Sequence, residues 1–426
     1  MKREVKSNNL VKVLYCENNV DGTVGGSYYS LLYLVKNVDR QKYHPVVVFY
    51  TEHTLLPAYR EAGVETHVWP KAAAFTFGGA HHRIWKWLRP LRPIGLICQK
   101  ILNFLHGFLL PAIERAWYIK RNGIRIVHLN NSVLYNHDWM LAATLAGVKC
   151  VTHERGINDW FPPSAKYFAK RLDAVVCISE AVRLNMHERG ADFGNLVVIH
   201  NGLDPKSMTV ETPPDALRAA YGIAPETVVV GMLGNIKAWK GQDTLIRAMA
   251  RVRREIPDVR CLLVGDTSPS DREYGQSLHA LVASLGLDKQ IVFTGFQRNV
   301  GDFLMMVDVM VHASVLPEPF GRVILEAMAC KKPVIGARAG AIPEIVEEGR
   351  TGLTFPPGDA GSLAEAIVSL ISDRDRIRRF GESGYRRLVN EFHIVKNIEA
   401  TQRLYERILG DRKSTRLNSS HVALSR

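Results

Sequence analysis

The sequence predicts an α/β protein built from two tandem Rossmann-like domains facing a central cleft. Three observations carry that prediction. Short apolar runs of strand length alternate with helix-like stretches almost throughout. Most of these runs are continuously apolar rather than alternating, as expected for strands buried on both faces of a parallel sheet. A polar, Pro-rich stretch, PKSMTVETPPD near 203–215, then interrupts the alternation, which restarts behind it. A chain of 426 residues, 46% of them hydrophobic, is long enough to give each domain its own core.

In chain order, the first domain (1–202) reads as strands at VKVLYC (11–16), HPVVVFY (44–50), VETHVW (64–69), IRIVHL (124–129), VKCVTHE (148–154), AVVCIS (174–179) and LVVIH (196–200). Helical character lies between several of them, for example at 27–37 and 181–190. The second domain (203–391) repeats the plan with TVVVGMLG (227–234), VRCLLVGD (259–266), QIVFTGF (290–296), DVMVHAS (308–314), KPVIGA (332–337) and TGLTF (351–355). A helix over 392–410 is expected to pack back on the first domain. Residues 411–426, DRKSTRLNSSHVALSR, have no amphipathic period, follow a helix stop at Gly410 and add +3 of charge. They read as a disordered tail, open to being foreign to the natural gene. In open α/β sheets ligands bind beyond the carboxyl ends of the strands, so both domains are expected to contribute that edge to one cleft.

Bulk properties narrow the class. The six cysteines, Cys16, Cys98, Cys150, Cys177, Cys261 and Cys330, are scattered, form no CxxC pair and mostly sit in apolar runs. Reduced core thiols are the expectation, not a metal site or disulfide framework. MKREVKSNNLVKVLYC has a charged start, but Lys12 interrupts its apolar run, so no secretion signal is read. No stretch is read as reaching the roughly 20 apolar residues that span a bilayer. A cytoplasmic protein is expected.

The net charge of +13 is uneven: residues 71–125 hold ten Lys/Arg against one acid, Glu114. Large apolar residues are interleaved with these bases. That mixture suits an anionic membrane surface better than a duplex groove, so peripheral attachment to the inner face of the cell membrane is expected and nucleic acid is not. An ordinary helical excursion with a solvated basic face remains the alternative.

Each domain opens with a strand, a glycine loop and a helix. VDGTVGGSYYSLLYLV places Gly25 and Gly26 just before the first helix, where free N–H groups favour an anion. The pattern is not GxGxxG and the acid expected after the second strand is absent, which disfavours a nicotinamide dehydrogenase. LGNIKAWKGQDTLIRAM sets Lys237, Lys240 and Gly241 at a strand-to-helix turn, where a lysine can reach a phosphate as a point charge. It is not a Walker A loop. PEPFGRVILEAMACKKPVIGA carries Glu318 on a Pro-bracketed turn and Glu326 in an otherwise apolar helix beginning near Phe320 or Gly321. Two carboxylates so placed can accept charge-assisted hydrogen bonds from two sets of sugar hydroxyls, although such a pair also arises by chance.

Over GNIKAWKGQDTLI, LLVGD, IVFTGF and PEPFGRVILEAMACKKPVIGARAGAIPEIVEEGRTGLTFPPGD the chain resembles the retaining glycosyltransferases of family 4, which have the GT-B fold. The resemblance implies roles residue by residue. Glu318 is similar to the residue contacting donor-sugar hydroxyls, and Glu326 to the one holding the ribose. Lys240 matches the lysine that neutralises the pyrophosphate. His153 resembles the active-site histidine facing the transferred sugar. Gly25 and Gly26 match the glycine loop near donor phosphate and acceptor, Asn201 and Gly202 the turn ending the first domain, and Phe320 and Gly321 lie within the two-glutamate motif. One position departs: the family usually has arginine where this chain has Asn235. Lys237, two residues on, could replace its charge, or Asn235 could donate a neutral hydrogen bond.

The implied function is a retaining, metal-independent glycosyltransferase moving a hexosyl group from a nucleotide-sugar to a glycan or lipid-linked acceptor in cell-surface polysaccharide biosynthesis. The departing diphosphate needs the positive charge that Lys240 and a helix N-terminus supply, and no DxD-like metal site is evident. The nucleotide-sugar is a co-substrate, and no cofactor is expected. A sugar-nucleotide epimerase of the same architecture and a non-catalytic basic membrane-binding protein are the alternatives. The first would convert donor without acceptor; the second would bind no nucleotide-sugar.

Overall fold

A computed structural model of the chain describes residues 10–20, 22, 24–76 and 92–410. The tail 411–426 and the basic stretch around Arg83, Lys86 and Arg89 lie outside the described residues. The chain forms two compact units. The first holds the described residues up to Cys177, Asn185–Ile199 and those from Ile398 onward; the second holds Ile178–Leu184 and His200–Asn397.

The first unit contains a seven-stranded sheet: β1 (Val11–Cys16), β2 (Tyr43–Phe49), β3 (Glu65–Val68), β4 (Ile124–Leu129), β5 (Lys149–Glu154), β6 (Ala174–Cys177) and β7 (Leu196–Val198). All neighbours pair in parallel, in the order β3-β2-β1-β4-β5-β6-β7. Val13, Leu14, Ile126, Val127, Val151 and Val175 are fully buried, as continuously apolar strands between two helical layers must be. β1 lies between β2 and β4, so successive connections leave it toward opposite sides of the sheet. That reversal opens a crevice beyond the strand ends, where Glu17 follows β1 and Asn130 follows β4.

The second unit has six parallel strands: β8 (Val228–Leu233), β9 (Val259–Val264), β10 (Ile291–Gly295), β11 (Val309–His312), β12 (Val334–Ala337) and β13 (Gly352–Phe355). Their order, β10-β9-β8-β11-β12-β13, puts the same reversal between β8 and β11. One face is covered by the helices Gln242–Glu255 and Ala360–Ile371. Leu245, Ile246, Met249 and Val252 of the first pack with Leu363, Ile367 and Leu370 of the second over Val230, Cys261 and Ile335. Asp359 caps the second helix, accepting from Gly361 N at 2.8 Å and Ser362 N at 3.1 Å.

In the first unit, the part of the last helix from Ile398 onward contributes Leu404 to a cluster with Val151, Ala174, Val176 and Ile199. Five cysteines are buried and Cys98 is exposed.

One expectation is corrected. Among the described residues, helix Pro93–Arg121 is long and apolar enough to cross a membrane: 29 residues, with a mean hydropathy of 1.5 in its most apolar 18-residue window, of which 6% is buried. Lys100, His106 and Pro111 break the contiguous apolar run in the sequence. A widened turn at Leu105–Leu109 nevertheless carries Arg92–Phe104 into Leu110–Arg121 without a stop. The Leu110–Arg121 half buries Ala112, Arg115, Ala116 and Ile119, and it packs on helix His137–Ala146.

Candidate active site

In the second unit the predicted residues collect at the β8/β11 reversal. After β8, the chain passes Asn235 and Lys237 into a 3-10 turn, Ala238–Lys240, and then Gly241. Gly241 has φ +77, and a Cβ there would stand 2.1 Å from the Ala313 carbonyl oxygen. Only glycine lets this turn close on the end of β11. Val315 N donates to Trp239 O at 2.8 Å and completes the clamp. Lys240 thereby projects its ammonium over the Trp239 ring, 4.0 Å from the centroid, and onto Glu318 Oε2 at 2.7 Å.

Glu318 is nearly buried, at 9% exposure. Its Oε2 also lies 3.2 Å from His312 Nε2 and accepts from Ser314 Oγ at 3.2 Å. Burial pushes this carboxyl upward, but the hydrogen bond and charge of His312 and the charge of Lys240 outweigh it and hold the pKa at about 2. The backbone is fixed too: Ala341 N donates to Glu318 O at 2.9 Å, and a Cβ on Gly340 would meet that oxygen at 2.2 Å. Glu318 and Lys240 were expected to serve different parts of a ligand; the structure joins them as one ion pair.

Phe320 is buried, and Gly321 caps helix Arg322–Ala329. Ile324, Leu325, Ala327 and Met328 face inward, which answers for the apolar run. Glu326, half-buried one turn into the helix, pairs with Arg322 Nε at 3.0 Å. Asn235 is exposed, and its carbonyl accepts from Gln242 Nε2 at 3.1 Å. Lys237 Nζ lies 4.0 Å from Asp271, so part of the charge that could stand in for an arginine at 235 is already engaged.

In the first unit His153 lies on β5, 3% exposed. Its Nδ1 is 2.8 Å from His128 Nε2, and His128 Nδ1 is 2.5 Å from Tyr405 OH. Tyr405 in turn donates to Tyr15 OH at 3.1 Å. Tyr405 has a single hydroxyl proton; with that proton given to Tyr15, the tautomers of the two rings follow. His128 donates from Nδ1 to Tyr405, His153 donates from Nδ1 to His128, and His153 Nε2 keeps a lone pair. Burial, reinforced by the Arg155 charge, lowers the pKa of His128 to about 3 and that of His153 well below the ordinary value. Both rings are neutral near pH 7.

Gly25 caps helix Gly26–Asn37, and a Cβ on either Gly25 or Gly26 would touch nothing within 4 Å. Neither glycine is demanded by this unit's own packing. Gly25 lines a polar cavity of about 400 Å³ with Glu17, Asn19, Ser27, Asn131 and Tyr135. Glu17 is 1% exposed; it accepts from Asn131 Nδ2 at 2.5 Å, Asn130 Nδ2 at 2.6 Å and Ser27 Oγ at 3.3 Å. Burial raises its pKa against these donors. Sequence reading missed Glu17, Asn130, Asn131, His128, His312 and Ser314. The available signal was position: each lies in or just after a strand flanking a reversal, at its carboxyl end.

Comparison with known proteins agrees with this geometry. The family described as Glycosyltransferase Family 4 matches residues 24–207, and Glycosyl transferases group 1 matches 214–387. The chain is 27% identical over 318 residues to N-acetyl-alpha-D-glucosaminyl L-malate synthase of Bacillus anthracis, covering 72% of this chain and 81% of the relative. It is 27% identical over 326 residues to the lipopolysaccharide core biosynthesis mannosyltransferase LpsB of Rhizobium meliloti, covering 76% and 88%. The fold of Anabaena HepE, solved in complex with UDP, superimposes with a TM-score of 0.76 at 24% identity, covering 93% of this chain and all of that one. These matches favour sugar transfer over the epimerase and the non-catalytic binding protein. The chain belongs to the family 4, group 1 glycosyltransferases, sugar-transferring enzymes of GT-B fold.

Proposed function

We propose that this enzyme is a retaining, metal-independent transferase that moves a sugar from a nucleoside diphosphate donor to a membrane-linked glycan or lipid acceptor in polysaccharide biosynthesis. The Lys240–Glu318 pair at the β8/β11 reversal carries the reading, because it sets a cation and a hydroxyl-accepting carboxylate side by side at a sheet's ligand-binding edge. Lys240 and the N-terminus of helix Gln242–Glu255 stabilise the charge developing on the leaving diphosphate, with Lys237 and Asn235 beside them. Phe320 and Gly321 fix the entry to the helix that carries Glu326. Glu318 takes sugar hydroxyls and Glu326 the ribose. His153 accepts a hydrogen bond from a sugar hydroxyl through Nε2, and the Gly25–Gly26 loop admits phosphate and acceptor.

Membrane attachment is supported by the exposed apolar side chains Ile94, Ile97, Ile101, Phe104 and Trp117. They sit in a segment with ten basic residues and one acid. The inward packing of Leu110–Arg121 favours lying on the cytoplasmic surface over spanning it, since a span would strip Arg115 and Ile119 from their neighbours.

The test is nucleotide release and product formation with UDP-, GDP- and ADP-sugars, each with and without membrane-extracted acceptor. A product with the donor's anomeric configuration, formed equally in excess EDTA, is expected. An inverted product, an absolute metal requirement, or donor conversion without acceptor overturns the corresponding part. Co-sedimentation with anionic vesicles, falling as salt shortens the screening length from about 10 Å at 0.1 M to about 3 Å at 1 M, is expected for the membrane reading. Equal binding to neutral vesicles overturns it.

A further inference from the structure

A second cavity in the first unit, of about 210 Å³, is lined by Lys71, Phe108, Arg115, Asn136, His137 and Asp138. It opens at the start of helix His137–Ala146, where Trp139 N already donates to Asp138 Oδ1 and Asn136 O, while the N–H groups of His137 and Asp138 precede the first intrahelical bond. Asn136, the capping residue, is 95% buried in a left-handed conformation, φ +59, and its side chain does not cap the helix.

The orientation of that amide is fixed by its neighbours. Tyr50 OH accepts from Trp139 Nε1 at 3.0 Å and from Cys16 Sγ at 3.5 Å, so its own proton goes to Asn136 Oδ1, 3.0 Å away. In the opposite orientation Tyr50 would have to turn its proton to the weaker acceptor Cys16 Sγ. Asn136 Nδ2 is therefore a buried donor with no partner among the described residues. A group left so in a packed protein calls for a ligand or water.

The charge around it is positive. Asp138 is neutralised by Arg115 and also accepts from Trp139 N at 2.9 Å. Lys71 is left over: it donates to Asn18 Oδ1 at 2.7 Å and sits 4.3 Å from the Tyr50 ring centroid, and neither contact is with a carboxylate. His137 Nε2 is 2.9 Å from the Val133 carbonyl, which leaves Nδ1 as its other edge. A helix N-terminus, an ammonium paired with no carboxylate among the described residues and an orphaned amide donor together make an acceptor-rich anion the complementary ligand.

We propose that this cavity binds a phosphate group, held by Lys71, Asn136 Nδ2 and the first N–H groups of helix His137–Ala146. The cavity shares no lining residue with the one lined by Glu17 and Gly25, but the two adjoin, because Lys71 on the wall of one donates to Asn18 on the wall of the other. Phe108 on its wall belongs to the exposed apolar helix, so the phosphate of a lipid headgroup and that of a soluble phosphomonoester can both reach it.

The test uses the full chain labelled with 15N-asparagine, titrated with inorganic phosphate and with dihexanoyl phosphatidic acid, in wild type and Lys71→Gln. Lys71 is exposed enough that its loss leaves the fold intact, which circular dichroism checks. The Asn136 side-chain amide is expected to shift saturably, with affinity at least tenfold weaker in Lys71→Gln. Tighter binding of phosphatidic acid than of inorganic phosphate names a lipid source; equal binding names a soluble one, and either keeps the site. An Asn136 amide unmoved by both ligands, or equal affinity in the variant, means the cavity holds water only and overturns the proposal.

Discussion

The pairing of Lys240 with Glu318 can be measured as a free energy. Glu318 is held at about 2 against an ordinary 4.5, which corresponds to about 3 kcal/mol of native-state preference for the carboxylate. That preference is what remains after the burial cost, and His312 contributes more to it than Lys240, so a Lys240 share on the order of 1–2 kcal/mol is expected. The sign follows from the direction of the shift. The contribution is complete above pH 4.5 and is lost as pH falls from there through about 2. A double-mutant cycle of Lys240→Met and Glu318→Gln isolates the Lys240 share. Because a chain of two units need not unfold in one step, stability is best read by hydrogen exchange at buried amides of the second sheet, such as Val230 and Leu263. Coupling of about 1–2 kcal/mol at pH 7, diminishing below pH 4.5, is expected. A coupling within the ~0.3–0.5 kcal/mol typical of independent sites would refute the pairing. In the same variants, Lys240→Met should lower turnover about 10²–10³-fold at saturating donor. A loss under about threefold, roughly 0.65 kcal/mol, would remove Lys240 from the chemistry.

Three further outcomes are expected. Glu326→Ala should weaken binding of free nucleoside diphosphate about tenfold or more while Glu318→Ala chiefly affects the sugar; calorimetry showing unchanged diphosphate affinity for Glu326→Ala would cancel the ribose assignment. Tyr405→Phe removes the acceptor of His128 Nδ1–H and should cost about 1–3 kcal/mol of stability. It should also drive His128 to its other tautomer and move the proton of His153 to Nε2, and 15N chemical shifts that show His153 Nε2 already protonated in the wild type would contradict the relay. Gly241→Ala combines a left-handed backbone, worth roughly 1–2 kcal/mol, with a Cβ 2.1 Å from a carbonyl oxygen. It should destabilise the second unit by at least that much in a denaturant melt, and a neutral substitution would mean the turn is not clamped to β11 as described.

Local sequence determined the elements of this protein. Continuously apolar runs such as VVVGML and AVVC can be satisfied only between two covering layers, and their alternation with amphipathic stretches such as QDTLIRAMARVRRE leaves little besides parallel α/β units. The glycines at 241 and 321 and the carboxylates at 318 and 326 were legible because turn geometry and motif spacing are properties of neighbouring residues. Partnership was not legible. Lys240 and Glu318 are 78 residues apart, and His128 and Tyr405 are 277 apart. Only the order of strands in each sheet sets these pairs at hydrogen-bonding distance. The long helix Pro93–Arg121 shows the same division. Its composition is written in the chain, but whether an apolar face is buried or left open depends on what the rest of the fold brings against it. Burial is a property of the assembled unit, and so are the proton positions and pKa values that depend on it, because desolvation and charge proximity act through space and not along the sequence.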